Sequence, residues 1–220
     1  MNNAVIAWSG GKDSVLALQE IRKAIQIEAL ITTVTEHDRI AMHGINKELI
    51  LQQARAIGYP MIEVRIPEHC SNDQYELKMT EVLQKYRESG TESVIFGDLF
   101  LEDIRLYRED FLNRIGMKGI FPLWKKDTTV LAKQFIDSGF RAIIICVDTQ
   151  ILPKEFAGRE FNFQLLNDLP QQVDPCGENG EFHTFVYDGP LFQEPVKIKP
   201  GQKFLKQDRF YYCDLLLRSI

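Results

Sequence analysis

Ala4-Val5-Ile6-Ala7-Trp8-Ser9-Gly10-Gly11-Lys12-Asp13-Ser14-Val15 is the stretch on which the fold turns. A short apolar run stops at a glycine pair, and from Ser14 the residues Val15, Leu18, Ile21 and Ala24 or Ile25 recur at helical spacing. The pattern reads strand, loop, helix. Glycines at the carboxyl end of a first strand let the backbone turn sharply and aim several N–H groups and a helix N-terminus at one point, which suits an anion. Ser9 and Ser14 add hydroxyl donors, Lys12 a cation, and Asp13 a carboxylate that can hold Mg²⁺ or orient the loop. Neither the Walker A spacing nor Gly-x-Gly-x-x-Gly is present. A plain polar turn is the simpler reading of such a loop. Its position favours phosphate, because open parallel sheets bind ligands beyond the carboxyl ends of their strands.

Outward from this loop the alternation continues. Strands are expected at 27–34, 61–66 and 93–96, with helices from about Asn46 to the stop at Gly58, from a cap at Asn72 to Gly90, over 101–115 and over 128–138. Ala142 to Val147 is a continuous apolar run of the kind covered on both faces, taken as a further strand of the same sheet. The expected fold is α/β, a doubly wound, mostly parallel sheet. After Asp148 prolines and glycines break up any long helix, and strand-like pieces at 182–187 and 210–217 are separated by Gly189-Pro190 and Pro200-Gly201 turns. This divides the chain into a nucleotide-binding domain over 1–125 and a smaller C-terminal α+β region over 126–220.

Composition is that of a folded globular protein, with 45% hydrophobic and 26% charged residues. A net charge of -5 argues against a broad grip on nucleic acid. The longest apolar stretch, Ala142 to Val147, is far short of the ~20 residues a membrane helix needs, and no apolar signal core follows a basic start. A cytoplasmic location is expected. Cys70, Cys146, Cys176 and Cys213 form no Cys-x-x-Cys pair, which supports neither a zinc knuckle nor a dithiol centre.

The second concentration of chemistry is Asp174-Pro175-Cys176-Gly177-Glu178-Asn179-Gly180-Glu181-Phe182-His183-Thr184. Its glycines permit tight turns, while Glu178, Glu181 and His183 supply carboxylates and an imidazole for metal binding or proton transfer. Alone it would read as an acidic turn before a strand.

Ser9 to Ser14 resembles the Ser-Gly-Gly-x-Asp-Ser signature of the PP-loop ATP pyrophosphatases, whose fold is of the HUP-like, adenine nucleotide alpha hydrolase-like type. With Cys176 to Phe182, and with Met42-His43-Gly44, Gly97-Asp98, Pro122-Leu123-Trp124 and Asp188-Gly189-Pro190-Leu191-Phe192, nearly the whole chain is similar to the diphthine–ammonia ligase family. The resemblance implies cleavage of ATP between its α and β phosphates, adenylation of a carboxylate, and attack by ammonia to give an amide, AMP and pyrophosphate. It implies that Ser9, Gly10, Gly11, Lys12 and Ser14 hold the pyrophosphate portion, with Asp13 near Mg²⁺. Thr32, His43, Gly97 and Asp98 are counted with the nucleotide-binding set, and Lys12, Asp13, Glu178, Glu181 and His183 as catalytic. The acceptor is expected to be a small or protein-linked carboxylate, with ammonia free or delivered by a separate glutaminase.

Departures bear on the acceptor. Leu101-Glu102-Asp103-Ile104-Arg105 stands where diphthine-type members carry a Ser-x-Tyr-Gln-Arg-like segment, and the features at Met42-His43-Gly44 and His183-Thr184 resemble bacterial relatives, one subgroup of which is associated with cobalamin salvage. Arg105 and Arg108 sit three apart among Glu102, Asp103, Glu109 and Asp110, which reads as a solvated, salt-bridging face. Phe156, Phe161, Phe163 and Trp124 read as packing. Two other functions compete: a PP-loop sulfur-transfer enzyme acting on tRNA, and a regulatory module that binds ATP or AMP without turnover. The sequence leaves assembly into a homo-oligomer open.

Overall fold

A computed structural model of the chain describes residues 3–41 and 44–218. Five parallel strands, β1 (Asn3–Ala7), β2 (Gln26–Thr35), β3 (Met61–Ile66), β4 (Thr91–Ile95) and β5 (Lys118–Ile120), form a sheet ordered β3-β2-β1-β4-β5. The order reverses between β1 and β4, the switch point at which such sheets open a crevice for ligand. Alternation along β1 explains the two-faced packing. Ala4 and Ile6 enter a core built with α1 (Lys12–Ile21) and α2 (Lys47–Ile57), while Val5 enters a second core under α3 (Asn72–Glu88) and α4 (Glu102–Arg114). The fold is therefore α/β and doubly wound, as the sequence led us to expect.

A second, antiparallel sheet is ordered β7-β6-β9-β8, from β6 (Arg141–Asp148), β7 (Phe182–Asp188), β8 (Ile198–Lys206) and β9 (Phe210–Leu217). It shares the first core. Ile143, Ile144, Phe185 and Leu215 pack in one buried cluster with Leu18 of α1, Ile50 of α2 and Phe135 of α5 (Thr128–Asp137). The strand expected at 142–147 thus belongs to this sheet and not to the parallel one. It lies between β7 and β9, and a central antiparallel strand buried on both faces has the same apolar run as a parallel one.

Smaller corrections have equally local causes. Pro200-Gly201 is not a turn but the register break inside β8, an edge strand where a missing N–H is tolerated. The reversal falls instead at Gln207 and Asp208, both with positive φ (52 and 49°). Ser71, not Asn72, caps α3, in a reciprocal box with Gln74. Helix α1 begins at Lys12, so Ser14 lies within its first turn. Short β5 was not anticipated. Phe156 and Phe161 are buried as expected, whereas Phe163 is exposed and Trp124 only half-buried. Among the described residues no helix is long and apolar enough to cross a membrane.

Candidate active site

The glycine loop over residues 9–14 is held from behind by the antiparallel sheet. Thr184 of β7 accepts the Lys12 N–H through Oγ1 at 3.1 Å, and the Val186 N–H donates to the Gly10 carbonyl at 3.0 Å. Gln53 of α2, wholly buried, donates Nε2 to the carbonyls of Gly10 (3.0 Å) and Val186 (2.5 Å) and accepts the Trp8 indole N–H at 2.7 Å. One side chain therefore ties β1, the loop and β7 together. Within the loop, Ser9 Oγ accepts the Gly11 N–H at 3.2 Å and Ser14 Oγ donates to the Gly11 carbonyl at 2.9 Å. The N-cap residue Gly11 lends α1 no side-chain cap, and Thr184 takes the N–H of its first residue, Lys12; a helix end with further N–H groups beyond that one suits an anion.

Lys12 is 2% exposed. Its Nζ lies 2.9 Å from Asp13 Oδ2 and donates to the Cys176 carbonyl, with the Phe182 ring 5.4 Å away. Burial pulls its pKa down, but Asp13, Cys176 and Glu178 more than offset that, and the value ends raised, so Lys12 is a cation. Burial raises Asp13 against the pull of Lys12. Its Oδ1 is buried with no hydrogen-bond partner among the described residues. No group of three or more His, Cys, Asp or Glu residues is disposed to hold a metal among them. One free carboxylate oxygen beside the glycine loop nevertheless fits Mg²⁺, which takes one or two protein carboxylates together with phosphate oxygens and water.

The 174–184 loop crosses the carboxyl end of the parallel sheet. Asp174 organises it: Oδ1 accepts the N–H groups of Cys176 (2.9 Å) and Glu178 (3.2 Å), and Oδ2 accepts the Thr128 hydroxyl (2.6 Å). The two glutamates part company here. Glu178 reaches back to the parallel sheet and accepts the Leu99 N–H at 2.7 Å, just beyond Gly97-Asp98. Burial, helped by the Asp13 charge and opposed by the Leu99 bond, pushes its pKa up to about 7. Glu181, 2% exposed, instead closes the loop on itself by accepting the Asp174 N–H and the Asn179 amide, both at 3.0 Å. His183 is half-buried, and burial, reinforced by Lys12, lowers its pKa to about 4, leaving a neutral imidazole.

Gly97 explains why β4 can end so close to α1. A Cβ there would lie 2.8 Å from the Asp13 carbonyl carbon and oxygen and 3.0 Å from the Ser14 nitrogen, all backbone atoms. Gly97→Ala is expected to cost about 1–3 kcal/mol of stability and, by displacing the first turn of α1, to weaken ATP binding. Denaturant titration and ATP binding check this; full ATP affinity in the variant contradicts it.

Asp98 is ion-paired with Arg108 (3.0 Å). Arg108 also lies over Phe96, and Arg105 over Phe121 and Trp124; Arg105 forms the expected ion pair along the helix, with Glu109, whereas Arg108 turns from its helix neighbours to Asp98. Thr32 is buried in β2, one residue past the carbonyl that receives the Trp8 N–H, and its hydroxyl has no hydrogen-bond partner among the described residues. His43 lies outside the described residues. Sequence reading passed over Gln53, Thr184, Asp174 and the Cys176 carbonyl. For Gln53 there was a signal, a polar residue among Ile50, Ala54 and Ile57 on the buried face of α2; a backbone carbonyl gives none.

Residues 1–119 match the diphthamide synthase N-terminal domain family and residues 127–216 the diphthamide synthase C-terminal domain family. The chain is 27% identical to the diphthine–ammonia ligase of Danio rerio over 91% of its own length and 88% of the relative's. Against the diphthine–ammonia ligase of Homo sapiens it is 24% identical, covering 88% of this chain and 82% of that one. It spans only 35% of the Schizosaccharomyces pombe diphthine–ammonia ligase, at 26% identity. A solved structure described as a predicted subunit of tRNA methyltransferase, from Methanocaldococcus jannaschii, overlays with a TM-score of 0.47 at 14% identity, covering 84% of this chain and 96% of that one. The chain belongs to the diphthamide synthase family and is an ATP-dependent amide-forming ligase of that family.

Proposed function

We propose that the chain adenylates the carboxylate of a small or protein-linked acceptor and passes it to ammonia, with residues 1–125 binding nucleotide and 126–220 completing the acceptor site. The observation that carries this reading is the convergence of two sequence-distant segments on Lys12: Asp13 and the Cys176 carbonyl meet its Nζ, and Thr184 its backbone N–H. A helix end with no cap from its own Gly11, two serines and a buried cation form a cradle for the pyrophosphate leaving group, where preorganised donors stabilise developing charge. Mg²⁺, held by Asp13 and phosphate oxygens, would neutralise that charge further.

Glu178 is the residue assigned to the second half of the reaction. Its pKa of about 7 fits a group that accepts a proton from the attacking nitrogen near neutral pH. Glu181 is assigned to holding the loop, since its bonds go to Asp174 and Asn179. Cys176 contributes its carbonyl and not its sulfur: the thiol is buried against the Thr128 carbonyl and burial raises its pKa, which disfavours a sulfur relay there. Ammonia is taken free or from a separate glutaminase. ATP–pyrophosphate exchange across a carboxylate library names the acceptor, since exchange requires reversible adenylation of a bound acid. ADP and phosphate as the only products would refute the scheme.

A further inference from the structure

Beyond Gly97 the carboxyl ends of β4 and β5 carry a stacked platform with no part in the nucleotide cradle. Phe96, the residue after β4, stacks on Phe121, the residue after β5, with ring centroids 5.4 Å apart. Arg108 lies over Phe96, 4.3 Å from the ring centroid, and is consumed there by Asp98 at 3.0 and 3.1 Å. Arg105, one turn earlier on α4, is held differently. Its guanidinium lies 5.0 Å from the Phe121 centroid and 4.7 Å from that of Trp124, and its Nε donates to Glu109 at 2.8 Å. Among the described residues nothing bonds to its Nη1 or Nη2. The two rings and the Nε bond hold the guanidinium while its Nη groups stay unbonded, so its fork edge can receive a carboxylate through two parallel hydrogen bonds.

The platform is tied to the reacting centre. The Leu99 N–H bonds Glu178 and the Leu99 carbonyl accepts the Lys125 N–H at 2.7 Å, so a single residue joins the 174–184 loop to the turn bearing Trp124. Phe100 and Ile104, each 37% exposed, add apolar surface at the same end of α4. The nucleotide cradle lies over β1, and the crevice of a sheet ordered β3-β2-β1-β4-β5 continues from there over β4 and β5.

We propose that Arg105, held by Trp124, Phe121 and Glu109, is the anchor for a carboxylate of the acceptor and determines which acids this ligase accepts. The proposal deepens the adenylation reading and rests on it for the acceptor's role, but its test reads binding alone. Saturation-transfer NMR is run on the full chain with the α,β-methylene analogue of ATP, using acetate, succinate and glutarate beside acetamide and succinamide. The wild type is expected to retain the acids over the amides. Arg105→Ala should weaken acid binding by about tenfold or more, and Arg105→Lys, which keeps charge but loses the fork, should fall between. Trp124→Ala should mimic the loss and Trp124→Phe should not. Affinity for the ATP analogue and the denaturation midpoint stay unchanged in Arg105→Lys, which separates recognition from folding. Equal retention of acids and amides by the wild type, or acid binding in Arg105→Ala equal to the wild type's, overturns the proposal. An acid that binds through Arg105 yet supports no pyrophosphate exchange would sink the adenylation reading while leaving this one standing.

Discussion

Lys12→Met is expected to lower ATP–pyrophosphate exchange by about 10²–10³, the loss that follows removal of one preorganised group from developing charge. The size follows from where the ammonium sits. It is 2% exposed, and its attraction for a departing pyrophosphate is little diluted by water. The same variant should lose roughly 3 kcal/mol of stability, because it strands the Asp13 carboxylate and the Cys176 carbonyl that now share the cation. The two effects are separable. In Lys12→Met/Asp13→Asn the stranded charge is gone, so the denaturation midpoint should return most of the way to wild type while exchange stays dead. Exchange at wild-type rate in Lys12→Met would show that the cation only glues the two segments together, and the cradle would need another reading.

The difference between what the sequence disclosed and what it hid follows from the range of the forces involved. The glycine loop, the α2 cap at Asn46 with its stop at Gly58, and the apolar strands depend on residues adjacent in sequence, and local chemistry sufficed to place them. Partner choice is not local. Ala142 to Val147 is buried on both faces wherever it pairs, so its burial could not say which sheet it joins. The acidic neighbours of Arg105 and Arg108 suggested ion pairs along the helix, and Arg105 makes one with Glu109, but the rings of Phe96, Phe121 and Trp124 beside these arginines are brought there only by the segments after β4 and β5. Glu178 and Glu181 are alike in sequence, two carboxylates three apart in a glycine turn. They separate only when Leu99 and Asp174 approach them from different parts of the chain.

That separation carries the second large effect. Glu178→Gln is expected to leave pyrophosphate exchange nearly intact and to cut amide formation by about 10²–10⁴, the usual contribution of a positioned general base. Its stability should move the other way. The folded carboxyl has a pKa raised from 4.5 to about 7. The native state therefore holds this proton over a pH range in which the unfolded chain has released it, and stability falls as pH rises through that window. Below pH 4.5 both states are protonated and the glutamine should differ little. Above pH 7 the wild type buries a charge that glutamine lacks, while the amide oxygen still accepts the Leu99 N–H. The variant should then be the more stable by on the order of 2 kcal/mol, a figure reduced from the full shift because the group is partly solvated. Denaturation at pH 5 and pH 8, beside exchange and amide assays, tests both arms. A variant that is less stable at pH 8, or that forms amide at the wild-type rate, would mean that Glu178 is a latch between the 174–184 loop and the end of β4. A gain in stability bought with a loss confined to the ammonia step is the signature of a carboxylate kept uncomfortable for its chemistry.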